Sequence, residues 1–89
     1  MISTSASVNP VLVDATGQRC PLPVIALATV ARGLAAGTVV VVIATDPAAR
    51  HDVPAWARLR GHDLLEITES EPGTWRLSVR IGAARTTEP

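Results

Sequence analysis

Apolar and polar residues follow two different periods along the first half of the chain, one typical of strands and one of helices. A short β-branched run at residues 11–13 ends at Asp14 and predicts a first strand. From Pro21 onward, apolar residues recur at steps of three and four, the period of an amphipathic helix with one buried stripe. That stripe comprises Val24, Leu27, Ala28, Ala31 and Leu34. The pattern therefore predicts a strand, a loop that contains Gly17, and a helix with Pro21 in its first turn.

Glycines mark the end of this helix and the start of the next strand. Gly33 is expected to take the left-handed C′ conformation, with Leu34 folding back as the apolar contact of the cap. Gly37 then leads into a second strand at residues 38–45. Five consecutive β-branched residues from Val39 make this strand more apolar than a sheet covered on one face requires, so we expect it near the sheet's centre.

A second helix is predicted after the second strand. Asp46 and Pro47 break that strand, and Asp52 is placed to cap the helix that follows. Gly61 is expected to end it. Its expected apolar face comprises Val53, Trp56 and Leu59. Trp56 is interpreted as a core anchor on this face.

Two further strands complete the pattern. A third strand is predicted at residues 64–68. Strict alternation of apolar with polar residues from Trp75 predicts a fourth strand, with one face buried and one in water. The apolar positions of the fourth strand are Trp75, Leu77, Val79 and Ile81. Pro72 and Gly73 supply the turn between these strands, and their pattern leaves the register open.

The order β-α-β-α-β-β within 89 residues predicts a single α+β domain. We expect a two-layer α/β sandwich in which two helices pack on one face of a four-stranded mixed sheet. The domain is assigned to residues 11–82, with a flexible N-terminal tail at residues 1–10 and a flexible C-terminal tail at residues 83–89.

The charge balance argues against direct binding of nucleic acid or of an anionic membrane. Eight arginines oppose eight acidic residues, lysine is absent, and the formal net charge is zero. The longest apolar run, residues 39–44, is far shorter than the roughly 20 residues that span a bilayer. Residues 1–10 carry neither a basic start nor an apolar run, so they do not resemble a secretory signal, and a cytoplasmic location is expected.

Cys20 is the only cysteine, which excludes an intramolecular disulfide and a four-cysteine metal site within one chain. It is expected at or beside the N-cap of the first helix, where free N–H groups and the positive dipole end lower a thiol pKa. Pro21 and Pro23 lack an N–H, so the expected lowering is modest, and Arg19 adds a cation if its side chain turns inward. The two prolines also fix φ early in the helix and so make the backbone next to the cysteine rigid. On residue statistics alone, a buried small apolar side chain is the alternative role.

The other polar candidates carry weaker signals. Asp46 closes the second strand at the sheet edge that also carries the Cys20 loop, so it either approaches the thiol or only satisfies backbone N–H groups of its turn. His51 and His62 lie at opposite ends of the predicted second helix and are interpreted as surface residues, since metal-ligand spacing is missing.

No other enzymatic pattern accompanies the cysteine. The chain lacks a nucleophile elbow, a phosphate-binding loop and a paired-carboxylate pattern, so we expect neither independent hydrolytic chemistry nor a bound cofactor or metal. Arg76 and Arg80 are expected on the wet face of the fourth strand, pairing with neighbours such as Glu66.

Residues 13–23, which read VDATGQRCPLP, resemble the signature of the TusA-like (SirA/TusA) sulfur carriers with its Cys-Pro-X-Pro core. The resemblance covers roughly residues 11–82. It implies a two-layer α/β sandwich, sulfurtransferase activity, and a persulfide carried on Cys20. The residues expected to support Cys20 are Gly17, Arg19, Pro21, Pro23 and Asp46.

The resemblance also implies partners. By this resemblance, Cys20 is expected to accept sulfane sulfur from a cysteine desulfurase or rhodanese-like donor and to pass it to an acceptor protein. Without a second cysteine, the transfer is expected to be intermolecular. Leu22 stands where members that serve tRNA thiolation often carry an acidic residue, so tRNA thiolation, molybdenum-cofactor and sulfur-metabolism routes all stay open. Two other functions remain: a non-enzymatic adaptor or regulatory domain in which Cys20 is not used chemically, and a redox sensor that needs an external thiol.

Overall fold

The predicted order of strands and helices is present in the structure. The computed structural model describes residues 10–82 of the 89-residue chain. Its elements are β1 (Val11–Ala15), α1 (Leu22–Ala31), β2 (Val39–Ala44), α2 (Ala49–Arg60), β3 (Asp63–Glu71) and β4 (Thr74–Arg80). Tails were predicted at residues 1–10 and 83–89, and all of their residues except Pro10 lie outside the described part of the chain.

The four strands form one mixed sheet in the order β1-β2-β4-β3. Strand β2 pairs parallel with β1 and antiparallel with β4, and β4 pairs antiparallel with β3. Because β1 and β2 are parallel, their carboxyl ends meet at the same edge of the sheet. The loops that lead into α1 and α2 therefore start side by side.

Both helices pack on one face of this sheet and close an apolar core. The fully buried strand residues of the core are Ala15, Val40, Val42, Ala44, Leu77 and Val79. Leu27 of α1 and Val53 of α2 are buried equally completely against them. Burying one such valine or leucine side chain stabilises the fold by about 1.5–3 kcal/mol. The predicted α+β sandwich is confirmed.

The face of β2 that points away from the helices is also apolar, which accounts for its uninterrupted β-branched run. Val41 is only 5% exposed on that face, because it lies between Leu12 of β1 and Ser78 of β4. Side chains of the flanking strands cover a central strand even where no helix does. The central position predicted for this strand is confirmed.

The end of α1 differs from the prediction, because Gly33 is not left-handed. Its N–H donates to Val30 O at 3.2 Å, and the N–H of Leu34 donates to Ala31 O at 3.1 Å. Each of these hydrogen bonds joins residues three positions apart, as in a 3₁₀ turn. They satisfy the terminal carbonyls of the helix without a residue at positive φ. The left-handed glycine of this connection is instead Gly37, with a φ of 93°.

Helix α2 begins earlier than predicted. Its N-cap is Ala48, so Asp52 lies in the first turn and not at the cap. Between residues 10 and 82, no side chain caps either helix through a hydrogen bond. The start of α2 rests on the backbone instead: the N–H of Ala49 donates to Asp46 O at 3.0 Å. Gly61 ends the helix in the left-handed conformation, as predicted.

The buried face of α2 also differs in part from the prediction. Its buried residues are Ala49, Val53 and Ala57, which follow one another at steps of four. Trp56 is half-buried beside them, whereas Leu59 is 84% exposed and lies off this face. Among the described residues, neither helix has the length and hydropathy needed to cross a bilayer.

The hairpin between β3 and β4 turns through Pro72 and Gly73, with Gly73 at a φ of 81°. Its register includes shifts in β3, so that Glu66 lies opposite Ser78. Arg80 forms its ion pair with Asp63 at 3.1 Å, not with Glu66 as predicted. Both side chains of this pair are more than half exposed, so the ion pair adds little to stability.

Candidate functional site

Cys20 lies in the loop between β1 and α1, at the sheet edge where β1 and β2 both end. The last pair of this parallel ladder is Ala15 with Ala44, so the two following loops are neighbours. Gly17 turns the first loop at a φ of 81°, a conformation that favours glycine. Cys20 is exposed, and its peptide bond to Pro21 is cis. The buried apolar role considered for this cysteine is therefore wrong.

Asp46 binds the backbone of the cysteine loop from the end of β2. Its Oδ2 accepts the N–H of Cys20 at 2.7 Å, and its Oδ1 accepts the N–H of Ala48 at 3.0 Å. These two hydrogen bonds, with a smaller contribution from the positive charge of Arg19, hold the pKa of Asp46 below its ordinary value of 3.8. Asp46 bonds to backbone N–H groups, which is one of the two roles considered for it, and it also lies close enough for its charge to act on the thiol.

Thr45 makes a second connection between the two loops. Its hydroxyl oxygen accepts the N–H of Gly17 at 2.9 Å. Sequence reasoning missed this residue, although its place directly before Asp46 at the end of β2 is the same signal that pointed to Asp46. Thr45 and Asp46 thus fix the loop at Gly17 and again at Cys20.

Asp52 contacts the sulfur itself. The Cys20 thiol donates a hydrogen bond to Oδ2 of Asp52, which lies in the first turn of α2. The cap predicted for Asp52 is therefore wrong, and its contact with Cys20 was missed. The available signal was the topology, because two helices that follow neighbouring parallel strands begin at the same sheet edge.

The electrostatics at the thiol run opposite to the prediction. The hydrogen bond to Asp52 raises the pKa of Cys20 above the ordinary value for a cysteine, and desolvation and the charges of Asp52 and Asp46 act in the same direction. A helix N-terminus favours a thiolate, but a carboxylate in contact with the sulfur opposes it. The N-terminus of α1 is also poor in donors, since Pro21 and Pro23 have no N–H.

The two prolines occupy different environments. Pro21 is the N-cap of α1, one residue earlier than its predicted place in the first turn, and its carbonyl accepts the N–H of Ile25 at 3.0 Å. Pro23 is the second residue of α1 and is fully buried. Before them, the carbonyl of Arg19 accepts the N–H of Leu22 at 2.7 Å, which closes a turn around Cys20. The backbone on both sides of the cysteine is therefore hydrogen bonded.

The two histidines lie apart from each other. His51 is exposed at the start of α2. His62 is half-buried: its ring lies 4.8 Å from that of Trp56, and its Nδ1 accepts the N–H of Gly82 at 2.9 Å. His62 therefore has a structural role that the surface interpretation missed. Across residues 10–82, no three His, Cys, Asp or Glu side chains are arranged to bind a metal ion.

Comparison with known proteins identifies the family to which this fold belongs. Residues 11–81 match the family described as Sulfurtransferase TusA. A sulfur carrier protein TusA of Pseudomonas putida (strain W619) is 48% identical over 69 residues, which cover 78% of this chain and 85% of the relative. A sulfur carrier protein TusA of Pseudomonas aeruginosa (strain LESB58) is 46% identical over 74 residues, with coverages of 83% and 91%.

A solved structure agrees. The crystal structure of a SirA-like protein from Desulfitobacterium hafniense superposes with a TM-score of 0.73 at 30% identity, covering 81% of this chain and 97% of that one. The chain therefore belongs to the TusA family, and its role is that of a sulfur carrier.

Proposed function

We propose that Cys20 is the residue that carries the transferred sulfur atom and that the chain acts as a sulfurtransferase. The observation that supports the proposal is the exposed thiol, whose backbone N–H is fixed by Asp46 at the sheet edge shared by both helix starts. Transfer between proteins needs a sulfur that is accessible at the surface and whose backbone is held in one position. Cys20 meets both conditions.

The proposed reaction balances without an oxidant or reductant. The Cys20 sulfur attacks the outer sulfur of a donor persulfide, and the bond between the donor's two sulfurs breaks. The donor's inner sulfur leaves with the electron pair and takes up a proton, while Cys20 loses its own. An acceptor thiol then attacks the outer sulfur on Cys20 by the same exchange. Because the chain has one cysteine, it cannot discharge the persulfide by forming its own disulfide.

An apolar pair on α1, Leu22 and Ile25, supports docking of a protein donor beside the sulfur. The two side chains are 50% and 52% exposed on the first turn of the helix. Apolar side chains exposed next to a reactive group are typical of a surface that a partner covers. A cysteine desulfurase or a rhodanese-like protein fits as donor, since each presents a persulfide on a cysteine. The route served and the cytoplasmic location stay predictions.

Intact mass spectrometry tests the proposal directly. The pure protein is incubated with cysteine, pyridoxal phosphate and a cysteine desulfurase, beside a Cys20→Ser variant. We expect the wild type alone to gain one sulfur atom, and a reducing thiol to remove it. Thermal unfolding of Cys20→Ser should match that of the wild type, because the thiol is exposed. No gain with desulfurase or rhodanese donors, together with partner binding that survives Cys20→Ser, would instead favour the adaptor function.

A further inference from the structure

Two carboxylates act on the Cys20 thiol, and one arginine lies beside the cysteine in sequence; the three residues come from three different segments. Asp52 reaches the sulfur from α2, Asp46 binds the adjacent N–H from the end of β2, and Arg19 lies next to the cysteine in its own loop. The positive charge of Arg19 acts on Asp46. The group in direct contact with the sulfur is thus a carboxylate and not a cation.

The carboxylate of Asp52 is not needed to start its helix. The N–H groups of His51 and Asp52 both donate to the carbonyl of Ala48, at 3.0 and 2.9 Å, and the N-cap makes no side-chain hydrogen bond. An aspartate in a first turn gains a modest stabilisation from the helix dipole wherever its side chain points. The direction of this one, toward the sulfur, has no structural explanation within α2.

A hydrogen bond from S–H to a carboxylate can exist only while the thiol keeps its proton. A thiolate at the same position has no proton to donate and places two negative charges in contact. The thiolate, not the thiol, is the reactive nucleophile. The geometry therefore opposes the form of Cys20 that attacks electrophiles.

We propose that Asp52 holds Cys20 as the neutral thiol between transfers and so restrains its reaction with small electrophiles and oxidants at neutral pH. The inference rests on the proposed function in that the restrained group is the proposed carrier of sulfur. A donor that approaches Asp52 with a positive charge weakens this restraint. Cys20 then reacts with its partner while staying unreactive toward other electrophiles.

The test is the pH profile of alkylation of the pure protein by iodoacetamide, followed by intact mass. Asp52→Asn keeps the size of the side chain and removes its charge, and we expect its profile to move to lower pH, with alkylation several-fold faster at neutral pH. Glu66→Gln removes one charge from an exposed position on β3, the outer strand farthest from β1. The alkylation profile of this variant should superpose on that of the wild type. Superposed profiles for Asp52→Asn and wild type would overturn the inference.

A second measurement on the wild type does not depend on how the variant folds. Ultraviolet absorbance of the thiolate, titrated with pH, should give a midpoint above the value of about 8.5 that is usual for cysteine. A midpoint at or below that value would overturn the inference as well.

Alkylation involves no sulfur donor, so its outcome is separate from that of the carrier proposal. If the Asp52→Asn profile is shifted but the protein takes up no sulfur, the restraint by Asp52 is supported and the carrier role of Cys20 is contradicted. If the protein takes up sulfur but the profile is unshifted, the carrier role is supported and the restraint is contradicted.

Discussion

The N–H of Cys20 donates to Asp46 Oδ2 at 2.7 Å, which joins two residues that are 26 positions apart in the chain. The bond connects the loop after β1 to the loop after β2, and these loops are adjacent only because the two strands are parallel neighbours. The position of the thiol therefore depends on the end of another strand. This dependence gives predictions that separate the support of the loop from the chemistry of the sulfur.

Asp46→Asn is expected to lower the melting temperature by several degrees. The amide has one acceptor oxygen in place of the two that now accept the N–H groups of Cys20 and Ala48, and the charge assistance is lost. Thermal unfolding followed by circular dichroism measures the change. The Glu66→Gln variant provides a control for the loss of one negative charge, and an equal shift in that variant would contradict a role specific to Asp46.

The stability of the wild type is expected to fall as the pH drops below about 4. The folded state lowers the pKa of Asp46 below its ordinary value of 3.8, and it lowers that of Asp14, chiefly through hydrogen bonds from Thr16. Each group thus contributes stability that is complete above its unfolded pKa and is lost as the pH falls through its folded pKa. Melting temperatures between neutral pH and strongly acidic pH measure this fall. The slope should be smaller in Asp46→Asn but not zero, because Asp14 remains, and an unchanged slope would contradict the assignment.

Ile25→Ser is expected to slow sulfur uptake from a protein donor by several-fold. The change removes half of the exposed apolar pair, while it leaves Cys20 and its hydrogen bonds in place. Uptake is measured by intact mass at limiting donor concentration, and alkylation by iodoacetamide should be unchanged. Leu59→Ser is the matched control, since Leu59 is 84% exposed near the far end of α2. Equal slowing in both variants would point to general surface hydrophobicity and not to docking at α1.

Gly17→Ala is expected to destabilise the fold by about 1–2 kcal/mol. A Cβ at this position meets no heavy atom within 4 Å, so the destabilisation comes from the backbone, which has a φ of +81°. Chemical denaturation measures the free energy of unfolding. Gly33→Ala provides the contrast, because Gly33 has no positive φ and its nearest neighbour is at 4.0 Å, so that variant should be neutral or slightly stabilising. Equal effects in the two variants would contradict the role of the positive φ.

The elements of the fold could be predicted because each follows from a local pattern. The stripe around Leu27 specifies a helix, and the alternation around Leu77 specifies a strand half-buried in the sheet. The β-branched run from Val39 marks the central strand, and Gly61 marks the end of α2, since a left-handed residue there favours glycine. Where local patterns competed, the prediction was wrong. Asp52 suits an N-cap, yet backbone hydrogen bonds start α2 at Ala49.

The sequence by itself determined the α+β fold class and singled out Cys20, because apolar periodicity and a lone cysteine before two prolines are local features of the chain. Only the tertiary structure decided which groups meet the sulfur. The contact between Cys20 and Asp52 spans 32 positions and exists because two parallel strands bring two helix starts to one edge. The direction of the Cys20 pKa shift follows from that contact, since electrostatic interaction depends on distance in space and not on separation along the chain.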